Sequence, residues 1–107
     1  MAPAEWDSAD RVAAAARAVP GVHDLHAGMF GEAATYLPGR RVTGVAVGEN
    51  RVAVHIVADL DRSEGNDLTA LAEAVRRAVV PLADGAAVDV IIEDLHQSAR
   101  RDAYRGA

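Results

Sequence analysis

The feature that most constrains this chain is a pair of β-branched runs joined by a three-residue polar link. The runs are RRVTGVAV and RVAVHIVADL, and the link is GEN at residues 48–50. This arrangement is typical of a β-hairpin in which Gly48 or Asn50 takes a positive φ. In the second run, alternate residues lie on opposite faces of the strand: Val52, Val54, Ile56 and Ala58 on one, and Ala53, His55, Val57 and Asp59 on the other. The sequence therefore predicts an antiparallel strand pair with two distinct faces.

A helix is predicted before this hairpin, over about residues 8–19. Asp7 or Ser8 is a suitable N-cap, and Pro20 with Gly21 ends the pattern. Helical spacing gives one narrow apolar stripe, formed by Val12, Ala15, Ala16 and Val19. The small side chains indicate a thin core, as in a two-layer sandwich of helices and a sheet.

A second helix is predicted over about residues 67–80, with Asn66 or Asp67 as its N-cap and Pro81 at its end. It has the clearest amphipathic pattern in the chain, formed by Leu68, Leu71, Ala72, Val75, Val79 and Leu82. The run AAVDVIIEDL then predicts the last strand. Because a helix connects this strand to the run RVAVHIVADL, we expect the two strands to lie parallel in one sheet.

Two shorter segments lie between the first helix and the hairpin. VHDLHAG predicts a short strand from Val22, and EAATYL is either a further short strand or an irregular connector. The order is then α-β-(β)-β-β-α-β. This order predicts an α+β two-layer sandwich, with a mixed sheet of three to four strands and both helices on one face. We expect a single domain over residues 8–95, with flexible termini at residues 1–7 and 96–107.

This arrangement leaves the second face of the sheet without a covering element. That face carries three apolar residues beside three polar ones, namely Ala53, Val57, Ile91, His55, Asp89 and Glu93. A half-apolar sheet face of this kind is typical of an interaction surface. The residues that we expect to make contacts there are Ala53, His55, Val57 and Ile91.

The composition disfavours several classes of function. The net charge is −5, so generic nucleic-acid binding, which usually needs a basic face, is not expected. The absence of cysteine excludes disulfides, thiolate metal sites and a cysteine nucleophile. MAPAEWDSAD is acidic and does not resemble a signal peptide, and no apolar stretch is long enough to span a membrane. We therefore expect a cytoplasmic protein with no direct membrane insertion.

No motif in the chain predicts catalysis, a cofactor or a metal. His23 and His26 are three residues apart and so face opposite sides of a strand, which disfavours a metal site. DLDRSEGND begins like a calcium loop but lacks the glycine and the glutamate that such a loop needs at its sixth and twelfth positions. The chain has neither a phosphate-binding glycine motif nor a G-x-S-x-G serine. The sequence therefore predicts a protein that is not an enzyme.

The segment TYLPGRRV, at residues 35–42, combines a rigid turn with residue types that often anchor interfaces. Pro38 and Gly39 suit the central positions of a type II turn, since proline fixes φ and glycine takes a positive φ. Tyrosine and arginine are enriched among interface anchors. We therefore expect contacts from the hairpin turn, defined as Tyr36, Leu37, Pro38, Gly39, Arg40 and Arg41.

Three stretches of the chain resemble the alkaline shock protein family, which are small envelope-stress-response proteins of Gram-positive bacteria. The stretches are VPGVHDLHAGMFGEAATYLPGRRVTGVAV, RVAVHIVADL and VRRAVVPLADGAAVDVIIEDL. The most specific parts are VPGV, the segment around TYLPGRRV and the closing VDVIIEDL. The resemblance covers residues 10–95 and is closest to the short, arginine-rich members from high-GC genomes.

The resemblance implies a non-catalytic cytoplasmic protein that forms a homo-oligomer, a dimer or larger. It also implies a separate membrane-anchored protein that holds this chain near the membrane, and it implies no cofactor. We therefore expect a scaffold or adaptor in envelope stress response or homeostasis. The alternative hypothesis is a small sensor domain in which Tyr36, Arg40 and Arg41 bind an anion or a nucleotide.

Overall fold

The computed structural model describes residues 4–61 and 67–97, with the side chains of residues 4–7 excepted. The elements follow one another in this order: helix α1 Ala4–Arg17, strands β1 Val22–Leu25, β2 Ala34–Leu37, β3 Arg40–Thr43, β4 Val45–Val47 and β5 Arg51–Asp59, helix α2 Leu68–Val79, and strand β6 Ala87–His96. A short 3-10 turn, Val80–Leu82, follows α2. The chain is therefore an α+β fold, as predicted.

Strand β5 is the centre of the main sheet. Along one edge it pairs in parallel with β6 over its whole length, as the sequence predicted. Along the other edge, β4 pairs antiparallel with residues 52–54, and β1 pairs antiparallel with residues 56–58. The predicted hairpin between β4 and β5 is confirmed, but neither Gly48 nor Asn50 has a positive φ. The link closes instead through the Gly48 N–H, which donates to the Arg51 carbonyl over 2.7 Å.

The run RRVTGVAV forms two strands rather than one, because the chain turns at Gly44. This residue has a φ of 89° and bonds to two separate segments. Its N–H donates to the Ala33 carbonyl over 2.7 Å, and its carbonyl accepts from the His55 N–H over 2.8 Å. A Cβ at position 44 would lie 2.6 Å from the Leu25 Cβ. Only glycine therefore fits this junction without displacing its neighbours.

The segment EAATYL, for which the sequence left two alternatives, contains strand β2. Strands β2 and β3 form a separate two-stranded antiparallel sheet, with Tyr36 opposite Arg41 and Leu37 opposite Arg40. Gly39, in the turn between them, has the predicted positive φ, at 78°. The Thr35 hydroxyl donates to the Val45 carbonyl over 2.6 Å and so ties this hairpin to β4.

The two helices differ in how well the sequence placed them. Helix α2 begins where predicted, since the Asp67 carboxylate accepts the Ala70 N–H over 3.0 Å as its N-cap. Helix α1 begins at Ala4, so the predicted caps Asp7 and Ser8 lie inside it. The buried residues of α1 are Ala9, Val12, Ala13 and Ala16. Val12 and Ala16 belong to the predicted apolar stripe, whereas Ala9 and Ala13 do not.

Both helices pack on the same face of the main sheet. Val54 and Ile56 of β5 are fully buried there, in one cluster with Val12 of α1 and with Val75 and Val79 of α2. Leu37 and Val42 belong to the same cluster, so the β2–β3 hairpin also packs into this core. Burial of a side chain of this size stabilises the fold by about 1.5–3 kcal/mol.

We predict that Gly44→Ala destabilises the protein by about 2–5 kcal/mol. A non-glycine residue at positive φ costs about 1–2 kcal/mol, and displacement of the Leu25 side chain adds an overpacking cost of about 1–3 kcal/mol. Urea unfolding followed by circular dichroism measures the change in the free energy of unfolding.

The matched control is Gly39→Ala. Gly39 also has a positive φ, but a Cβ there would meet no atom within 4 Å. We expect this variant to lose only the backbone term, about 1–2 kcal/mol. Equal losses in the two variants would contradict the role given to the crowded junction at Gly44.

Candidate interaction surface

The predicted sheet face lies opposite the helices. Ala53, His55 and Val57 alternate along β5 with the buried core residues, and Ile91 of β6 is the pairing partner of His55. All four residues are partly exposed, and none of them is part of the buried core. In residues 4–61 and 67–97, both helices pack against the other face. The structure therefore brings the four predicted residues together on one surface that the described helices leave uncovered.

Two polar pairs flank the apolar residues of the sheet face. An Arg51 guanidinium nitrogen lies 2.6 Å from an Asp89 carboxylate oxygen, and His55 Nδ1 lies 2.6 Å from Glu93 Oε2. The His55 and Glu93 side chains are only 13% and 14% exposed. The β5–β6 register shifts after Ile56, which makes Glu93 an extra residue in its strand. This bulge occurs where Glu93 approaches His55, and bulges commonly redirect side chains in this way.

A third polar group lies at the far end of the same sheet. The rings of His23 and His96 stack with centroids 3.8 Å apart and planes 13° apart. His23 Nδ1 is 3.9 Å from an Asp59 oxygen, and Asp59 is buried and accepts the Asp61 N–H over 3.0 Å. The sequence could not associate His23 with His96, which the β1–β5–β6 strand order brings together. Within the described part of the chain, no group of three or more His, Asp or Glu side chains is arranged to hold a metal ion.

The residues of the hairpin turn divide between its two sides. Tyr36 and Arg41 are opposite one another on the outer side, where Tyr36 is 69% exposed. Leu37 is buried against the core, while Pro38 and Gly39 form the exposed tip. Five of the six residues are therefore exposed: Tyr36, Pro38, Gly39 and Arg41, and also Arg40 on the side that faces α1.

Arg40 lies on the inner side of the hairpin, next to helix α1. Its two terminal nitrogens lie 3.0 and 2.7 Å from the two oxygens of Asp10, which is a bidentate ion pair. These hydrogen bonds, with the charge of Arg40, hold the pKa of the Asp10 carboxyl below its ordinary value. An anion that used Arg40 as the sensor hypothesis requires would have to displace this carboxylate.

A shallow groove of about 340 Å³ lies beside this ion pair. Its lining includes Arg17, Arg40 and Arg41 as well as Asp10. Arg17 is 3.6 Å from Asp24, so two of the three arginines already have carboxylate partners. The groove is therefore less cationic than its three arginines suggest, and the sensor hypothesis stays a prediction.

A second exposed turn was not predicted from the sequence. In it, Met29 and Phe30 are 77% and 88% exposed. The Gly31 N–H donates to the Gly28 carbonyl over 3.1 Å, and the Phe30 N–H donates to Glu32 Oε1 over 2.9 Å. These bonds fix the turn, and the N–H groups of Glu32 and Phe30 lower the pKa of the Glu32 carboxyl. The available signal was the pair of glycines around two apolar residues, which is typical of a tight turn with an exposed tip.

Comparison with models of known protein families, with curated proteins and with solved structures found no match. Among residues 4–61 and 67–97, no helix is both long enough and apolar enough to cross a membrane.

We predict that the Asp10–Arg40 pair stabilises the protein above about pH 4 and that this contribution disappears in acid. The pKa of Asp10 is lower in the folded chain than its unfolded value of about 3.9, so the contribution is fully present above that value and is lost as the pH falls through the folded pKa. The thermal midpoint of the wild type should therefore exceed that of Asp10→Asn at neutral pH, and the gap should close in acid.

Glu49→Gln is the matched control, since it removes one exposed carboxylate from the turn between β4 and β5. Its midpoint should follow that of the wild type at both pH values. A gap between wild type and Asp10→Asn that does not narrow as the pH falls below the unfolded pKa would contradict the assignment, because the ion pair requires an ionised Asp10 carboxylate.

Proposed function

We propose that this protein is a non-catalytic scaffold or adaptor of the cell-envelope stress response that associates with copies of itself in the cytoplasm. A separate membrane-anchored protein holds it at the membrane. The observation that carries this proposal is the sheet face, Ala53, His55, Val57 and Ile91, which lies opposite both described helices. A flat, half-apolar surface on a rigid sheet is suited to contact with a neighbouring protein.

The charges on this surface favour association, because each has a partner within the same chain. Arg51 pairs with Asp89, and His55 pairs with Glu93. A charge that loses water without a partner is costly to bury, whereas these groups keep their hydrogen bonds when a second molecule covers them. The apolar side chains between them then supply the favourable burial.

The resemblance to alkaline shock proteins supports the cellular role in this proposal. It rests on VPGV, on the segment around TYLPGRRV and on VDVIIEDL. In the structure VPGV ends at the first residue of β1, TYLPGRRV contains the hairpin turn, and VDVIIEDL forms most of β6. Two of these segments therefore contain residues to which we assign contacts, namely the hairpin turn and Ile91 of the sheet face.

The absence of a catalytic role is part of the proposal. Its structural support is the position of the histidine–carboxylate pairs. His55–Glu93 and His23–Asp59 join neighbouring strands on the sheet face away from the helices, and three of their four side chains are at most 14% exposed. Acid–base chemistry on a substrate usually takes place in a concave site that excludes water. A structural role for these pairs fits their position.

For the membrane-anchored partner we propose the outer side of the hairpin turn as the contact. Tyr36 and Arg41 are adjacent across the β2–β3 pair and point away from the core. Because the turn is held by the core at Leu37, its backbone is already ordered, and binding restricts only the two side chains.

We predict that Val57→Glu lowers the molar mass of the protein in solution below that of the wild type. The new carboxylate lies in the apolar part of the sheet face, where a second molecule would bury it without a partner. Light scattering measures the mass, and circular dichroism verifies the fold. A folded variant with the wild-type mass at equal concentration would show that this face is not the assembly surface.

Ala70→Glu is the matched control for this experiment. Ala70 is exposed in the first turn of α2, where an acidic residue is favourable. It adds the same charge to the opposite layer of the fold. We expect the wild-type mass, which would show that the effect at Val57 depends on position and not on net charge.

We further predict that the double variant Tyr36→Ala, Arg41→Ala loses its membrane-anchored partner. Pull-down from native membranes with wild-type protein should recover a protein that the double variant does not. The matched control is the double variant Arg76→Ala, Arg77→Ala, which changes two residues on the exposed side of α2. Equal recovery with all three proteins would show that the hairpin turn does not make this contact.

A further inference from the structure

Strand β6 forms one edge of the main sheet. It pairs with β5, and within residues 4–61 and 67–97 its other edge has no strand beside it. At ten residues it is the longest strand in the fold, and its sequence is rich in valine and isoleucine. An unpaired edge of this kind presents a row of backbone N–H and C=O groups to a further strand.

The hydrogen bonds identify which backbone groups face outward. The Ala87 N–H donates to the Asn50 carbonyl over 3.0 Å, so Ala87 points toward β5. The N–H and C=O groups of a strand residue point to one side, and successive residues alternate. Asp89 and Ile91 therefore also bond to β5. The residues whose N–H and C=O groups face away from β5 are Val88, Val90 and Ile92.

The outward edge is blocked beyond Ile92. Glu93 is the extra residue of the bulge, which interrupts the alternation. The next outward N–H, that of Leu95, donates to Asp94 Oδ1 over 2.8 Å and is therefore already satisfied. With respect to the described part of the chain, the free part of the edge is thus a window of five residues, 88–92, with Val90 at its centre.

We propose that this edge binds the same edge of a second copy of the chain, antiparallel, around a two-fold axis at Val90. Val90 then faces Val90 of the partner subunit, and Val88 faces Ile92 of the partner subunit. In this register every outward residue of the window forms a hydrogen-bonded pair, which gives six backbone hydrogen bonds and extends one sheet across both copies. The occupant is a second copy because the window is complementary to itself.

The side chains fit the same register. Val88, Val90 and Ile92 lie on the helix side of the sheet, so β-branched residues stand opposite one another there. On the other face Asp89 is opposite Ile91 of the partner subunit, so no two carboxylates are directly opposed. The remaining charges are matched within each chain, since Asp89 pairs with Arg51 and Glu93 with His55.

This inference rests on the proposed function only in that copies of the chain associate. It names a different surface, the edge of β6, and the sheet face plays no part in it. The two can therefore fail separately, and the experiment must use a readout that is specific for the edge.

A disulfide between copies provides that readout, because the chain has no cysteine of its own. In Val90→Cys the two cysteines face each other with Cα atoms about 5.5 Å apart, which is within disulfide range. In Val88→Cys they are offset by four residues, or about 14 Å, which is beyond that range. Mild oxidation should therefore give a disulfide-linked dimer from Val90→Cys and several-fold less from Val88→Cys.

The same oxidation is repeated in the Val57→Glu background. A Val90 cross-link that persists there supports the edge contact even where the sheet face has been disabled. Equal or absent cross-linking of folded Val90→Cys and Val88→Cys overturns the edge contact. If the edge contact is overturned in this way but Val57→Glu still lowers the molar mass, then the sheet face alone is the assembly surface.

Val90→Pro gives a test that does not depend on a cysteine. The Val90 N–H points away from β5, so proline removes an edge donor and leaves the β5–β6 hydrogen bonds in place. We expect the circular dichroism spectrum to match that of the wild type. We also expect the molar mass in solution at low protein concentration to be lower than that of the wild type, because the edge contact is lost. A folded Val90→Pro variant with undiminished association overturns the proposal.

Discussion

The backbone of His55 is the interaction on which the rest of the architecture depends, because it joins two segments to one edge of β5. Its N–H donates to the Gly44 carbonyl and its carbonyl accepts from the His26 N–H, each over 2.8 Å. Strands β4 and β1 can therefore follow one another along a single edge. The segment between β1 and β4 does not pair with β5 and forms the β2–β3 hairpin instead. This hairpin packs against α1 and contributes Leu37 to the core. Without glycine at position 44, the Leu25 side chain would have to move.

Both described helices pack on one face of the sheet. On the other face, polar side chains of neighbouring strands pair with one another and stabilise the sheet. Arg51–Asp89, His55–Glu93 and the stacked His23–His96 over Asp59 each join different strands. Cross-strand pairs of this kind hold strand register and leave few charges without partners. The face is consequently neither a second core nor a fully solvated polar surface. That intermediate character is what makes a protein neighbour a suitable cover for it.

The sequence predicted the elements whose signals are local. The stripe of α2 and its Asp67 cap, the alternation of β5 and the parallel pairing of β6 were all confirmed. The split at Gly44 was missed because glycine within a β-branched run is compatible with a continuous strand, and the bonds that decide it come from Ala33 and His55. The Arg40–Asp10 pair joins residues thirty positions apart, so no local pattern contains it. Helix α1 starts early because an alanine-rich segment propagates helix past suitable caps.

The same features that stabilise β6 also determine how far a second strand can extend along it. The bulge at Glu93 and the Asp94 carboxylate on the Leu95 N–H protect one end, and the strand starts at Ala87. Five residues with six hydrogen bonds make a short contact, since each such bond adds about 0.5–1.5 kcal/mol net and association has its own entropic cost. An edge contact of this size is therefore weak and depends on concentration. A second contact on the sheet face would raise the local concentration of the edge, so the two surfaces would reinforce one another.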